Sequence, residues 1–298
     1  MFRNLRLYRV QSDWPVSEAA LSEILAERSF QPCGAYTEQS AGWEAPGGEG
    51  EECLARRLAG ADLMRLRIQS RLLPAAAVNE ALEERMQQFE ARMHRPPSRK
   101  EKRDLKDEVH AELMPRALLK SQRLWGMFIV REQVLAVDTS SEAQAELFLD
   151  TLRSAFGSLE AVPLSFNESL GRLLTRIFLG DGPTAFQPGR ECRMIDAAAG
   201  KASVSWLDME LHSASVQKHV RDGLTLERLA VRFEEIITCV IDQQGVIRKF
   251  KLEGMDNVED DAQVEDHPLA LLDADFALTG GMVQRLLLGL KKELKGYG

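Results

Sequence analysis

Catalysis requires a nucleophile beside its base, a cluster of metal ligands or a cradle for phosphate. The 298 residues offer none of these at a diagnostic spacing. The histidines are His94, His110, His212, His219 and His267, and none stands with a second His or Cys at a ligand spacing. His212 and His219 are close enough to share a helix face, as ordinary surface histidines also do. No G-x-x-x-x-G-K-[ST], no G-x-G-x-x-G after a strand, no G-x-S-x-G and no H-E-x-x-H occurs. DLKDE (104–108) and VEDDAQVED (258–266) bring acids together as a divalent ion would require. Lys106 neutralises the first, and the second lacks the glycine turn of a calcium loop. The sequence is therefore read as a non-enzyme with no catalytic residue, no metal and no cofactor.

The chemistry it does offer is cationic. Arg92 to Arg123 holds ten Lys and Arg against five acids, a net +5 inside a chain of net −8. Charge so gathered can engage a polyanion that the whole chain would repel. Ser98 and Glu101 match the S-x-x-E capping box, so a helix is predicted to start just after Pro96 and Pro97. On that helix Leu105, Val109 and Leu113 form a narrow apolar stripe. Arg99, Lys102, Arg103, Lys106 and His110 fill the adjoining sector, with Glu101, Asp104, Glu108 and Glu112 on the opposite flank. Either the basic sector faces a phosphate backbone, or the helix is a solvated one in which Asp104 and Glu108 pair with Lys100 and Lys102.

The elements around this segment read as α+β. FRNLRLYRV (2–10) alternates as a half-buried strand, and a helix over 16–28 follows, capped by Ser17. Residues 34–53, rich in Gly, Glu and Pro, are expected to be a loop. MRLRIQSRLL (64–73) alternates with Met64, Leu66 and Ile68 inward and Arg65, Arg67 and Gln69 outward. A long helix over 75–94 leads into the basic one. WGMFIV (125–130) and VLAVD (134–138) read as a hairpin, and 140–157 as a helix with Ala143, Leu147, Thr151 and Ala155 on one side and Gly157 at its end. A strand at 162–166 and a helix at 167–179 come next. CRMID (192–196) and ASVSWL (202–207) are expected to pair, before a helix at 213–222. The strand LERLAVRF and a hairpin turning at Gln243, Gln244 and Gly245 complete the sheets. Residues 253–275 carry nine acids and no Lys or Arg, and are read as a solvated loop before a C-terminal helix at 279–294. Lys291, Lys292 and Lys295 there suit the helix dipole.

The sheets are expected to be mixed or antiparallel with packed helices. Three regions are expected: sheet and helix at 1–74 and 124–180, long helices with the basic segment at 75–123, and a second α+β region at 181–298. Hydrophobic content of 44% and charged content of 28% are ordinary for a globular chain. No stretch approaches the roughly 18 apolar residues of a membrane span, and no secretory signal is evident at the N-terminus, so a cytoplasmic protein without membrane partners is expected. Cys33, Cys53, Cys192 and Cys239 are widely spaced and read as free thiols, with Cys239 buried in IITCVI.

Several stretches together resemble the bacterial recombination-associated RdgC family. They are FRNLRLYRV, FQPCG (30–34), GW (42–43), LKDEVHAELMPRALLK (105–120), GSLEAVPLSF (157–166) and LDADFALTGG (272–281). They run in the family's order from end to end of the chain, and 181–215 is the least familiar region.

The resemblance implies a nucleoid-associated, non-enzymatic DNA-binding protein that closes as a curved subunit into a ring-shaped homodimer around duplex DNA. It also implies little sequence preference, some binding to single strands, and restraint of RecA-promoted strand exchange by occupying the DNA. On this reading Arg99, Lys100, Lys102, Arg103, Lys106, Arg116, Lys120 and Arg123 meet the phosphates. Lys218, Arg221, Arg248, Lys249 and Lys251 are secondary candidates. Aromatic content of 6%, not interleaved with the basic run, leaves stacking on single strands a lesser term. Leu118 and Leu119, set among Arg116, Lys120 and Arg123, fall where the resemblance implies a dimer contact. The alternatives are that one of the two leucines enters the core, that the chain is an acidic module acting directly on a recombination protein, or that 256–266 holds Mg²⁺ for a DNA-cleaving enzyme.

Overall fold

The computed structural model describes residues 1–48, 50–196, 202–211, 213–254 and 268–298. VEDDAQVED, His212 and His267 contain or are residues outside that set, so the magnesium alternative lies beyond the described residues. The elements begin with β1 (Arg6–Val10), α1 (Glu18–Ala26), β2 (Gln39–Glu44), β3 (Ala55–Leu58) and β4 (Ala61–Leu72). Next come α2 (Ala75–Met93), α3 (Arg99–Leu113), a 3-10 turn (Met114–Arg116), β5 (Leu118–Ile129), β6 (Val134–Val137) and α4 (Glu142–Phe156). They continue with β7 (Ala161–Pro163), α5 (Leu170–Leu179), β8 (Phe186–Asp196), β9 (Ser203–Trp206) and α6 (Ala214–Arg221). The chain ends with β10 (Leu224–Phe233), β11 (Ile237–Asp242), β12 (Ile247–Leu252) and α7 (Pro268–Glu293). The fold is α+β with two sheets, as the patterning indicated.

The chain forms two compact units. The first comprises Met1–Glu27, Ala45–Arg65 and Leu124–Gly298, and the second Arg28–Glu44 and Leu66–Arg123. In the first, β1 pairs antiparallel with β6 and β7, β5 with β6, and β3 with β4. A second sheet of this unit runs β12-β11-β10-β8-β9. Alternation builds the core between them: Phe2, Leu5, Leu7, Met127 and Ile129 meet Cys192, Leu229, Val231, Cys239 and Ile247 with α5 and α7 in one buried cluster. On the other side of β5, Gly126 lets α4 approach, since a Cβ there would lie 2.2 Å from Phe148 Cζ.

Several local expectations yield to tertiary packing. Residues 34–53 are not all loop, because β2 lies within them and Trp43 is buried. Trp43 N–H donates to Arg28 O at 2.8 Å and Trp43 O accepts from Phe30 N at 2.8 Å, contacts distant enough in sequence to leave no local signal. Gln69 points inward, its Oε1 accepting from Cys33 N at 2.8 Å. The buried face of α4 is Ala145, Phe148, Leu149 and Leu152, rotated from the stripe read in sequence. Helix α7 begins at Pro268, so Asp273 and Asp275 are helical rather than part of a loop. Asp273 binds Arg56, which also meets Glu51 at 2.9 Å. Cys192 and Cys239 are buried and all four cysteines are free thiols. No described helix is long and apolar enough to cross a membrane.

Candidate nucleic-acid interface

The basic residues 99–106 belong to the second unit, on an antiparallel hairpin of α2 and α3. Proline at 96 and 97 bars continuation of α2, and His94 closes that helix in the left-handed region at φ 53°. The capping box forms as read: Glu101 N–H donates to Ser98 Oγ at 3.4 Å, and Ser98 N–H to Glu101 Oε2 at 2.8 Å. Arg95 forks onto the same carboxylate at 2.7 and 2.9 Å and lies over Phe89 at 5.4 Å. That guanidinium, with the Ser98 bonds, holds Glu101 well below the usual carboxylate range, at about 2. The first acid of the segment is thus spent on the turn and not on the lysines beside it.

The stripe docks α3. Val109 is buried, Leu105 and Leu113 are half-buried, and α2 supplies Val78, Leu82 and Phe89 to the interior. Arg85 joins the two helices through Glu112. Arg99, Lys100, Lys102, Arg103 and Lys106 are all exposed, and none has an ion-pair partner among the described residues. The pairing of Asp104 and Glu108 with Lys100 and Lys102, the alternative for a solvated helix, is not formed. Arg99 to Lys106 spans about 10 Å of helix axis at 1.5 Å per residue. The sector therefore offers Arg99, Lys102, Arg103 and Lys106 as free cations on one side, with Lys100 beyond Arg103.

The remaining three basic residues stand on other elements. Arg116 is exposed in the 3-10 turn, and Lys120 and Arg123 lie on β5, which starts at Leu118. Arg123 is already engaged, its Nε donating to Glu44 Oε1 at 2.6 Å. Glu44 also faces Arg67 at 3.7 Å. Arg71, which sequence reading passed over, fixes the approach to β5. Its guanidinium donates to the carbonyls of Gly34, Met114, Pro115 and Ala117 at 3.0–3.3 Å. An arginine in an alternating strand carries no local mark of such a role.

Leu118 and Leu119 are 75% and 49% exposed, so neither enters the core. As neighbours on a strand they project to opposite faces. All six residues from Leu118 to Arg123 are exposed, and β6 pairs with β5 only over Gly126–Ile129. Among the described residues, the edge of Leu118–Arg123 away from β4 carries no strand. Of the secondary candidates, Lys249 is bound to Glu191 and Arg248 to Asp242, whereas Lys218, Arg221 and Lys251 are exposed without a described ion pair. No described group of three His, Cys, Asp or Glu comes together as a metal-ligand set.

A family model described as "Putative exonuclease, RdgC" matches residues 1–297. The chain is 34% identical over 298 residues to the recombination-associated protein RdgC of Stenotrophomonas maltophilia, covering 99% of this chain and 98% of that one. It is 30% identical over 296 residues to the protein of that name from Shewanella oneidensis, with coverage of 99% and 97%. To that of Halorhodospira halophila it is 33% identical over 278 residues, with coverage of 93% and 92%.

Proposed function

The chain belongs to the RdgC family of recombination-associated proteins, and from that premise we propose that it binds duplex DNA through the phosphate backbone by way of α3. One observation carries the reading: Arg99, Lys102, Arg103 and Lys106 project from one helix sector, exposed and uncommitted to any described acid. A solvated helix of the ordinary kind would pair such cations with the acids on its own turns, which this one does not. Lysine and arginine on a rigid helix supply point charges and forked donors to phosphate oxygens and read no base. Sequence preference is therefore small. Lys100, Arg116 and Lys120 extend the contact, while Arg123 contributes only if Glu44 releases it.

On the same reading the protein acts as a homodimer closed through Leu118 and Leu119, encircles duplex DNA in the nucleoid, and restrains RecA by occupying its substrate. Binding to single strands is weaker because no aromatic residue is interleaved with the basic run to stack on bases.

The experiment is equilibrium binding to a random-sequence duplex across a salt series, for wild type and for Lys102→Glu with Lys106→Glu. Each phosphate neutralised contributes about 0.9 to the magnitude of the log–log slope, so losing two contacts lowers it by about 1.8 for each copy on the duplex. A slope equal to wild type removes α3 from the interface. Absence of wild-type binding at low salt rejects the DNA reading in favour of direct action on a recombination protein. The family description also names an exonuclease. Magnesium-dependent release of nucleotides from the same duplex by the wild-type protein would replace occupancy with cleavage as the activity.

A further inference from the structure

The five-stranded sheet of the first unit has a buried face and a charged one. Cys192, Met194, Leu226, Leu229, Val231, Cys239 and Ile241 point into the core, so their neighbours in the strands point outward. The register sets Arg228 opposite Arg193 on β8 and opposite Asp242 on β11, all in one outward row. The next outward row holds Ala230, Val240 and Arg248, with Val240 buried, and a further outward row holds Gln187, Arg232, Thr238 and Lys251, taken from β8 across to β12.

The acids of this face are committed. Asp242 Oδ1 accepts from Gln244 N at 3.0 Å and Val246 N at 2.9 Å, and its Oδ2 from Arg248 at 2.5 Å. Glu227, the bulged residue beside Arg228, meets Arg193 Nε at 2.8 Å. Glu191 is held by Lys249. Glu235 and Glu253 stand beyond the last of these rows, at the hairpin end where Glu253 N–H bonds Ile236 O at 2.7 Å.

Three cations are left over. Arg228, Arg232 and Lys251 have no ion pair among the described residues, and Arg228 Nε is buried with no hydrogen-bond partner. Two guanidinium-bearing residues directly opposed across a ladder repel each other, and a buried unmatched donor costs free energy. An incoming oxyanion at the guanidinium would offset that repulsion, while the Nε, closed to solvent, stays out of its reach. Outward positions here include no aromatic side chain, so a base has nothing to stack on, whereas forked guanidiniums fit phosphate oxygens bidentately. Arg228 to Arg232 spans about 13 Å of strand at about 3.3 Å per residue. One strand of a duplex presents about four phosphates over that length.

We propose that the outward face of this sheet is a second phosphodiester-binding surface, with Arg228 at its centre and Arg232 and Lys251 beside it. This rests on the DNA-binding reading but not on α3, because the residues belong to the other unit. It also replaces Arg248 and Lys249, whose charges are spent, with two arginines that sequence reading did not single out.

The test uses the full chain, the same duplex salt series and the variant Arg228→Gln with Arg232→Gln. The slope magnitude should fall by about 1.8 for each copy on the duplex, the value for two phosphates. Arg228→Lys with Arg232→Lys should restore it. Combined with the α3 variant, the losses should add. Since Arg228 is half-buried, Arg232→Gln alone serves as the variant least able to disturb folding, with an expected loss of about 0.9 for each copy on the duplex. Slopes equal to wild type in both variants, while the α3 variant lowers its own, overturn this surface and leave the α3 reading intact. No wild-type binding at low salt overturns both. Calorimetric titration with inorganic phosphate separates the sources: heat abolished by Arg228→Gln with an unchanged duplex slope marks a free-anion site and also overturns the proposal.

Discussion

Single carboxylates decide how far the charge pattern of this chain can be read as binding chemistry. Asp62 is fully buried, and accepts from Trp14 Nε1 at 2.7 Å and from Arg57 at 2.6 and 2.7 Å. Trp14 in turn stacks on Phe128 at 3.8 Å, which fixes the segment between β1 and α1. Glu132, 6% exposed, does the same near the C-terminus, accepting from Lys291 Nζ at 2.7 Å and Tyr297 Oη at 3.1 Å. Arg9 and Lys291 lie over the Tyr297 ring at 5.0 and 4.6 Å. Lys291 is thus a partner of a buried acid as well as a complement to the dipole of α7. Burial raises the Glu132 pKa, but the Lys291 ammonium and the Tyr297 hydroxyl outweigh it and hold the carboxyl below its ordinary value. A carboxylate depressed in the folded state adds stability above its unfolded pKa, and that stability is lost as pH falls through the folded value. Wild type should therefore lose Tm more steeply than Glu132→Gln on acidification from about pH 5 to about pH 3. Parallel curves in thermal denaturation would show that Glu132 does not set the acid response.

At the scale of elements, legibility followed the range of the stabilising contacts. Helix α3 was readable because Ser98, Glu101 and the stripe through Val109 are all local, and the structure keeps each. The hairpin of β11 and β12 was readable from its glycine turn, and the pairing of β8 with β9 from two short alternating runs. Helix α7 was readable only in its second half. Gly280 sits inside the helix, where a Cβ would lie 3.2 Å from Met127 Sδ. The acids before it looked solvated, yet Asp273 answers an arginine 217 residues away. The outward rows of the second sheet depend on registers set by bulges, which no single strand announces. Ser98 isolates one local term. Ser98→Ala removes the acceptor for Glu101 N–H, and a lost cap costs about 1 kcal/mol. Amide exchange at Glu101 should quicken several-fold, with the exchange of buried β10 amides unchanged. Equal exchange in both proteins would mean that the Arg95 fork alone holds the turn.

For the whole molecule, a net charge of −8 means that any polyanion must be met locally, and phosphate contacts made there would weaken as salt rises. A second copy would add to those contacts, since two linked surfaces convert a second binding event into an intramolecular one. The β5 edge is where a second copy is expected. An exposed strand edge with apolar residues invites pairing, and natural proteins cover or charge such edges. Here Lys120 charges it, Arg123 being paired with Glu44, but Leu118 and Leu119 remain exposed on opposite faces. Large exposed apolar side chains at a sheet edge gain by burial at roughly 25 cal/mol per Å². Leu118→Ser with Leu119→Ser should therefore shift the mass measured by light scattering from dimer to monomer without lowering Tm, because neither side chain belongs to the core. The same variant should weaken duplex binding and reduce the salt slope by about half, since one copy neutralises half the phosphates of two. A variant that stays dimeric removes this edge from the interface. A variant that becomes monomeric yet binds DNA as wild type does would separate dimerisation from DNA retention, and would sink the encircling reading while leaving both phosphate surfaces in place.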